Sequence, residues 1–166
     1  MTRALDVPFF MDSWATSAGV IAGGLGVGVA GGVLYNLLMA VTIRASRAWV
    51  WMASSALVAW STWVFRRAGW IDIERPFRLV AAGMLTGLAN ACLATAILHF
   101  VIGIPDDPNT RAFRAALRAE IGDARASLLV QEIAIEIADK TISLIGAAAL
   151  VVLLLERSPS GSARHA

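Results

Sequence analysis

The sequence contains few charged residues, and it has one cysteine, one lysine and one tyrosine in a chain of 166 residues. Charged side chains make up 16% of the chain, whereas they make up about 25% of a typical soluble domain. The single cysteine, Cys92, can form neither an internal disulfide nor a paired-thiolate metal motif. The composition excludes disordered and coiled-coil proteins, both of which are rich in charged side chains.

Motifs of catalysis, metal binding and nucleotide binding are also missing. No HExxH, CxxC, P-loop or GxSxG pattern occurs in the sequence. The calculated pI is about 9.3, yet no run of basic residues could follow a nucleic-acid backbone. We therefore expect a protein that is not an enzyme, that holds no metal and no cofactor, and that does not bind nucleic acid.

Apolar side chains are present in excess. They make up 58% of the chain, with 14 glycines besides, and the mean hydropathy is +0.69. A chain of 17.6 kDa cannot hide that much apolar surface inside one soluble domain. The composition therefore predicts an all-α, polytopic integral membrane protein, with residues 1–166 forming a single domain surrounded by lipid in the cell membrane.

Long apolar stretches divide the chain into about five predicted transmembrane helices, since a span needs about 20 mostly apolar residues. The first stretch, residues 8–43, would form a helix of about 54 Å, which is longer than one span. A turn at Gly23–Gly24 would divide it into a hairpin, and the alternative is one steeply tilted helix. The predicted spans are 9–23, 25–43, 49–65, 79–104 and 128–155.

The polar interval before the last span predicts a short amphipathic helix over 108–125. Its apolar residues Phe113, Leu117 and Ile121 recur at every fourth position, whereas most of its other side chains are charged or small. Such a helix is expected to lie on the membrane surface or over the end of the bundle.

Arginines in the connection 66–78 set the predicted orientation. This short connection carries four of them, and positively charged connections of this length stay in the cytoplasm. Two predicted spans separate it from the C-terminal tail, so we expect the C-terminus to be cytoplasmic. With five spans the N-terminus then lies outside.

A glycine repeat marks the second predicted span, where Gly24, Gly28 and Gly32 follow one another at every fourth position. Small residues at this spacing allow two helix backbones to approach closely in lipid. The repeat is either a docking surface for another protein or a packing surface inside the bundle of this chain. Glycine is common in membrane helices, which favours the second interpretation.

Charged residues inside the last apolar stretch are the first candidates for a functional site, because an intramembrane charge is costly. Glu136 and Lys140 stand four residues apart, in the order that favours an ion pair, and Asp139 is free to face a neighbouring helix. These groups are a self-neutralising pair, a ligand site, or a contact with Arg44 or Arg47.

The depth of these charges in the membrane can be estimated by placing Arg157 at the inner membrane interface. Lys140 lies 17 residues earlier, or about 25 Å along a helix. This estimate places Asp139 and Lys140 just inside the outer rim and Glu136 on it, where they would line a cavity that opens outward. The polar residues Asn36, Asn90 and His99 also lie in apolar stretches.

Interhelical hydrogen bonds are the expected role of such polar residues. His99 is the best of them as a ligand-binding residue, because it sits near the outer end of its predicted span.

Several short segments resemble one group of S components, the substrate-binding subunits of energy-coupling factor vitamin transporters. FFMDSWAT at 9–16 is similar to the FLDTxGT entry of that group, and GLGVG at 24–28 is similar to its GPxxG turn. Glycines and Asn36 within 28–36 follow its GxxxGxLTN pattern, and DKTIS at 139–143 resembles its DKxxS opening of the last helix. Related membrane sensor domains, which are fused to histidine kinases, share the first pattern.

This resemblance implies capture of a small vitamin-like nutrient in an outward-facing cavity, for uptake and without chemistry. Asp139, Lys140 and Glu136 would bind the nutrient, together with Asp12 and His99. It further implies an energising transmembrane subunit and ATPases as partners.

Proteins of the group have six helices, whereas five are predicted here. The first of the six is the one that contacts the energising subunit. The alternative function is a non-transporting sensor or interaction module that packs against other membrane proteins.

The predicted topology can be tested by cysteine labelling from either side of the membrane. In a Cys92→Ala background, a cysteine at Ser160 should react only from the cytoplasmic side, and one at Thr2 only from the outside. If both positions react from the inside, the hairpin interpretation is wrong and four spans remain.

Overall fold

The computed structural model describes residues 13–42, 48–103 and 108–156, and this part of the chain is all-helical, as the composition predicts. A 3-10 turn, Ala48–Trp51, precedes the third helix, and a π turn, Leu98–Ile102, extends the fourth. The helices are α1 (Ser13–Gly23), α2 (Leu25–Thr42), α3 (Met52–Arg67), α4 (Pro76–Ile97), α5 (Pro108–Ile121) and α6 (Ala124–Glu156).

Two of the described helical stretches, Pro76–Ile102 and Ala124–Leu154, are long and apolar enough to cross a bilayer. The described part of α1 has 11 residues, which corresponds to about 16 Å. Helices α2 and α3 have 18 and 16 residues, somewhat fewer than the roughly 20 that a span needs. Helix length and composition therefore support two spans in the described part of the chain, and the predicted five are not confirmed.

The chain reverses between α1 and α2 at Gly24, whose φ of 89° lies in the left-handed region that favours glycine. The N–H of Gly24 donates to the carbonyl of Val20 at 2.9 Å and closes the end of α1. The two helices then pack side by side, and Gly19 of α1 lies against Gly28 of α2. This is the turn that the hairpin interpretation requires.

The glycine repeat of α2 is used inside this chain. A Cβ atom added to Gly28 would lie 2.9 Å from the carbonyl oxygen of Thr16 in α1, and one added to Gly32 would lie 2.7 Å from Cβ of Ser55 in α3. Gly24 was predicted to belong to this packing surface, but it forms the turn instead and has open space around its Cα. The described neighbours of Gly28 and Gly32 are thus the protein's own helices.

Helices α4 and α6 form the most extensive helix pair. A Cβ atom on Gly87 would lie 2.5 Å from Cα of Ile137, and one on Gly83 would lie 2.6 Å from Cα of Thr141. Only hydrogen at these two positions allows the backbones to touch. The contact fixes which residues of α4 face which residues of α6, and it therefore positions the site described below.

One end of the bundle, which we call the arginine-rich end, contains the connection between α3 and α4. Here the guanidinium of Arg66 donates to the carbonyl of Val20 at 3.0 Å and so joins the end of α3 to the α1–α2 turn. Nearby, Ile21 packs against a buried apolar cluster that joins α4 to α6. This cluster consists of Leu79, Ala82, Leu144 and Ala148.

Helix α6 runs toward the arginine-rich end. Helix α5 lies at the opposite end of the bundle, which we call the far end.

The predicted surface helix ends four residues earlier than expected. Gly122 has a φ of 78° and terminates α5, and α6 begins at Ala124. The carboxylate of Asp123 accepts hydrogen bonds from the N–H groups of Ala126 and Arg125, at 2.7 and 2.9 Å, and caps α6. These hydrogen bonds lower the pKa of Asp123. Residues 124 and 125, predicted to close the surface helix, therefore open the last one.

The α4–α6 contact predicts opposite effects for two glycine-to-alanine changes. Gly87→Ala should destabilise the protein by about 1–3 kcal/mol, because the new methyl group meets the backbone of α6. Gly146→Ala places the same methyl group in open space on α6 and should be neutral or stabilising. Thermal unfolding in detergent measures both changes, and equal melting temperatures for the two variants would contradict the close contact.

Candidate functional site

Three charged side chains of α6 meet inside the bundle, and we call Glu136, Asp139 and Lys140 the charge cluster. The Lys140 ammonium lies 3.2 Å from Oε2 of Glu136, and it also donates to Oδ2 of Asp139. Lys140 and Asp139 are 5% and 2% exposed, and the side chain of Glu136 is 14% exposed. An ammonium flanked by two carboxylates is therefore held away from solvent.

The sequence prediction for this cluster is partly correct. The Glu136–Lys140 pair forms with the expected spacing of four residues. The carboxylate of Asp139, which the sequence leaves available to a neighbouring helix, also binds Lys140, because the long lysine side chain folds back onto the preceding residue. Lys140 thus binds both acids of the cluster.

The cluster extends to two other helices through hydrogen bonds. Nδ2 of Asn90 on α4 donates to Oε2 of Glu136 at 2.8 Å. The hydroxyl of Ser54 on α3 donates to Oδ1 of Asn90, also at 2.8 Å. We call the cluster together with Asn90 and Ser54 the polar network. It joins α3, α4 and α6 through side chains alone.

The contacts of α4 with α6 explain why Asn90 reaches Glu136. Gly87 touches Ile137, and Asn90 follows Gly87 by about one turn along α4, on the side that faces Glu136. Sequence reasoning identified Asn90 as an interhelical hydrogen-bonding residue but did not select it for the site. The glycine pair Gly83 and Gly87, four residues apart, was the available signal for this contact.

The last helix begins at Ala124 rather than at 128, so that its polar residues before Glu136 are part of the bundle. Lys140 lies 16 residues after the start and 14 residues before the end of the span-length stretch Ala124–Leu154, which is midway along that stretch. The depth of the charges near the outer rim stays a prediction. Glu132, expected beyond the membrane rim, is 8% exposed.

His99 does not join the cluster. It lies in the π turn at the far end of α4, half-buried, with its ring edge-on to Phe100 at a centroid distance of 4.6 Å. Because Asn90 of α4 lies opposite Glu136 of α6, His99 lies opposite the start of α6. This position is about 20 Å along the helix axis from Lys140. The prediction that both residues contact one ligand is therefore not supported by the geometry. Asp12, the remaining predicted residue, lies outside the described residues.

Buried hydroxyl groups lie beside the polar network. Thr86 is one turn before Asn90 on α4, and Ser143 is one turn after Asp139 on α6. Both are at most 3% exposed, and their hydroxyl oxygens have no hydrogen-bond partner among the described residues. Buried polar groups are normally hydrogen-bonded, so these hydroxyls retain capacity for a further partner.

The far end of α6 continues the polar surface of the charge cluster. Glu132 is one turn before Glu136, and its carboxylate accepts a hydrogen bond from Nε2 of Gln131 at 3.1 Å. Oε1 of Gln131 accepts in turn from Nε of Arg114 on α5, at 3.0 Å. Polar side chains therefore follow one side of α6 from the far end of the bundle to Lys140. Sequence reasoning did not identify Gln131 and Arg114 as a pair, since they belong to different helices.

Among the described residues, no group of three or more histidine, cysteine, aspartate or glutamate side chains could hold a metal ion. The chemistry available at the polar network and the hydroxyls beside it is that of one cation, two anions, an amide and hydroxyl groups. Such a set can recognise the polar groups of a small molecule. No protein-family model, curated protein or solved structure matches the chain.

The burial of the cluster predicts that losing its ammonium is costly. Lys140→Met should destabilise the protein by about 3–5 kcal/mol, because Glu136 and Asp139 lose the cation they share in a largely buried site. The double variant Glu136→Gln, Lys140→Met should recover part of this loss. The matched control is Arg118→Met at an exposed position of α5, which should change stability by less than about 0.5 kcal/mol. Chemical denaturation in detergent gives all three values, and a Lys140→Met variant as stable as the native protein would show that the ion pairs contribute nothing.

Proposed function

We propose that this is an integral membrane protein that captures a small polar, vitamin-like molecule at the charge cluster, as an S-component-like subunit of an uptake system. One observation carries the proposal: the ammonium of Lys140 and the carboxylate of Asp139 lie buried midway along a helix long enough to span the membrane, with the partly buried carboxylate of Glu136 beside them. Ionisable groups at such a place mark a ligand or ion site by default, because burying them is costly.

The distribution of side chains supports a membrane location. Apolar residues of α2 point outward, with Leu34, Leu38 and Val41 each more than half exposed. A surface of this kind is expected against lipid. The interior, in contrast, contains many polar residues from five helices. Its buried polar members include Thr16, Ser17, Asn36, Thr62, Thr86, Asn90 and Gln131.

The proposed topology retains five segments in the membrane, with the arginine-rich end in the cytoplasm. Helices α1, α2 and α3 complete the bundle around α4 and α6, although the described part of each is shorter than a full span. They contact one another, α1 also contacts α6, and α3 also contacts α4, which supports this arrangement. A bilayer accommodates short apolar segments at modest cost.

The ligand chemistry follows from the groups that surround the cluster. The Lys140 ammonium would bind an anionic or carbonyl group, and Glu136 and Asp139 would accept hydrogen bonds from amine or amide groups. The hydroxyls of Thr86 and Ser143 have unused hydrogen-bonding capacity next to these charges. A small molecule that carries both acceptors and donors fits this set. Binding needs no bond making or breaking.

Uptake would require an energising transmembrane subunit with its ATPases, which stay part of the proposal. The alternative is an interaction module that packs through Gly24, Gly28 and Gly32. It has less support, because Gly28 and Gly32 already contact α1 and α3 and Gly24 forms a turn.

The proposal predicts that Glu136→Gln abolishes the binding of the co-purifying small molecule. The substitution keeps the shape of the side chain and an oxygen that Asn90 can bond, but it removes the charge beside Lys140. Small molecules released from the denatured native protein and variant should be compared by mass spectrometry.

Glu120→Gln is the matched control, since it makes the same change at an exposed position of α5. It should retain the full ligand content. A native protein that releases no small molecule, or a folded Glu136→Gln variant with undiminished content, would contradict the proposed function.

A further inference from the structure

The far end of the polar surface on α6 is closed, although it faces the end of the bundle where α5 lies. Ser127, Leu128 and Gln131 are each at most 1% exposed. Helix α5 packs against α6, and its Arg114 bonds Gln131 in this part of the helix. The polar path toward the charge cluster is therefore covered at its outer end.

A short chain of hydrogen bonds connects this cover to the charged face beneath it. Arg114 of α5 donates to Gln131, and Gln131 donates to Glu132. Glu132 is the neighbour of Glu136 on the same face, one turn away or about 6 Å. This chain of hydrogen bonds thus ends one helical turn from the charge cluster.

A glycine with a left-handed φ stands between α5 and each of its neighbouring helices along the chain. Gly103 follows the π turn of α4 with a φ of 81°, and Gly122 separates α5 from α6 with a φ of 78°. Small residues at the ends of an element commonly absorb the backbone changes of a moving lid. The exposed surface of α5 carries both charged and apolar side chains. The large contact between α4 and α6 does not involve α5.

We propose that α5 is a lid over the outer entrance to the charge cluster and that the Arg114–Gln131 hydrogen bond is the latch that holds it closed. This inference rests on the proposed binding role of the cluster. Arg114 and Gln131 are positioning residues, and neither contacts the ligand. When the latch opens, α5 moves away from α6, and a small polar molecule reaches Glu136 and Lys140 from the far end.

The protein contains its own reporter of entry, because Lys140 is the only lysine in the chain. Acetylation of Lys140 by the membrane-impermeant amine reagent sulfosuccinimidyl acetate, quantified by mass spectrometry of the peptide, measures access to the cluster. The purified full-length protein in lipid nanodiscs is suitable for the reaction. Arg114→Met and Gln131→Met remove the same hydrogen bond from opposite sides. Each should raise the initial rate by about tenfold or more, since a hydrogen bond to a charged group shifts an equilibrium by at least that factor.

Arg118→Met is the matched control, an arginine one turn further along α5 that is exposed. It should keep the native rate, and Arg114→Lys, which retains a donor, should lie between the native protein and Arg114→Met. Native acetylation rates in both latch variants, or an equal rise of the acetylation rate in Arg118→Met, would overturn the proposal that α5 is a lid. Failure of both latch variants to fold would also overturn it, by showing that the bond holds the bundle together.

The same samples separate this inference from the proposed function. The ligand content of the native protein tests binding, whereas the acetylation rate tests access alone. Faster acetylation in a protein that carries no ligand would support a lid and contradict the binding role. A ligand-bearing protein whose latch variants react at the native rate would contradict only the lid.

Discussion

A buried ammonium that must be neutralised is the constraint on which the rest of this bundle depends. Lys140 lies midway along an apolar helix, and its charge is tolerated there because Glu136 and Asp139 lie on either side of it. Breaking such a pair is far more costly than its net contribution suggests, since it strands a charge away from water. The neighbouring helices must therefore supply polar groups rather than apolar ones at this level of the bundle. Asn90 and Ser54 do so from α4 and α3.

Close backbone contact makes this arrangement possible. Asn90 has a short side chain, and it reaches Glu136 only because Gly83 and Gly87 allow α4 to touch α6. Gly28 and Gly32 serve a similar purpose between α2 and its neighbours α1 and α3. Small residues outside the polar network thus determine the geometry inside it. The proposed functions of the cluster as a ligand site and of α5 as its lid both depend on that geometry.

The helical class, the reversal at Gly24 and the Glu136–Lys140 pair could be predicted, since each depends on composition or on residues close together in the chain. The boundary between α5 and α6 was also present in the sequence, because glycine followed by aspartate at 122–123 ends one helix and caps the next.

Relations between distant segments could not be predicted in the same way. The position of His99 required knowing which residues of α4 face which residues of α6, and without that information it was placed beside charges that lie about 20 Å away. The Arg114–Gln131 bond likewise depends on how α5 folds back on α6. The number of spans stays a prediction for a different reason, since apolar composition does not fix the length of each helix.

Nuclear magnetic resonance of the Lys140 ammonium tests the buried charge cluster most directly. Because the chain has one lysine, labelling with ¹⁵N-lysine gives a single side-chain resonance without any substitution. Ammonium protons exposed to water exchange too quickly for detection at neutral pH, whereas a buried and ion-paired ammonium exchanges slowly. We expect a protected Nζ resonance at neutral pH that shifts when Glu136 is replaced by glutamine. A resonance that is lost to exchange at neutral pH in the folded protein would contradict a buried charge cluster and the site built on it.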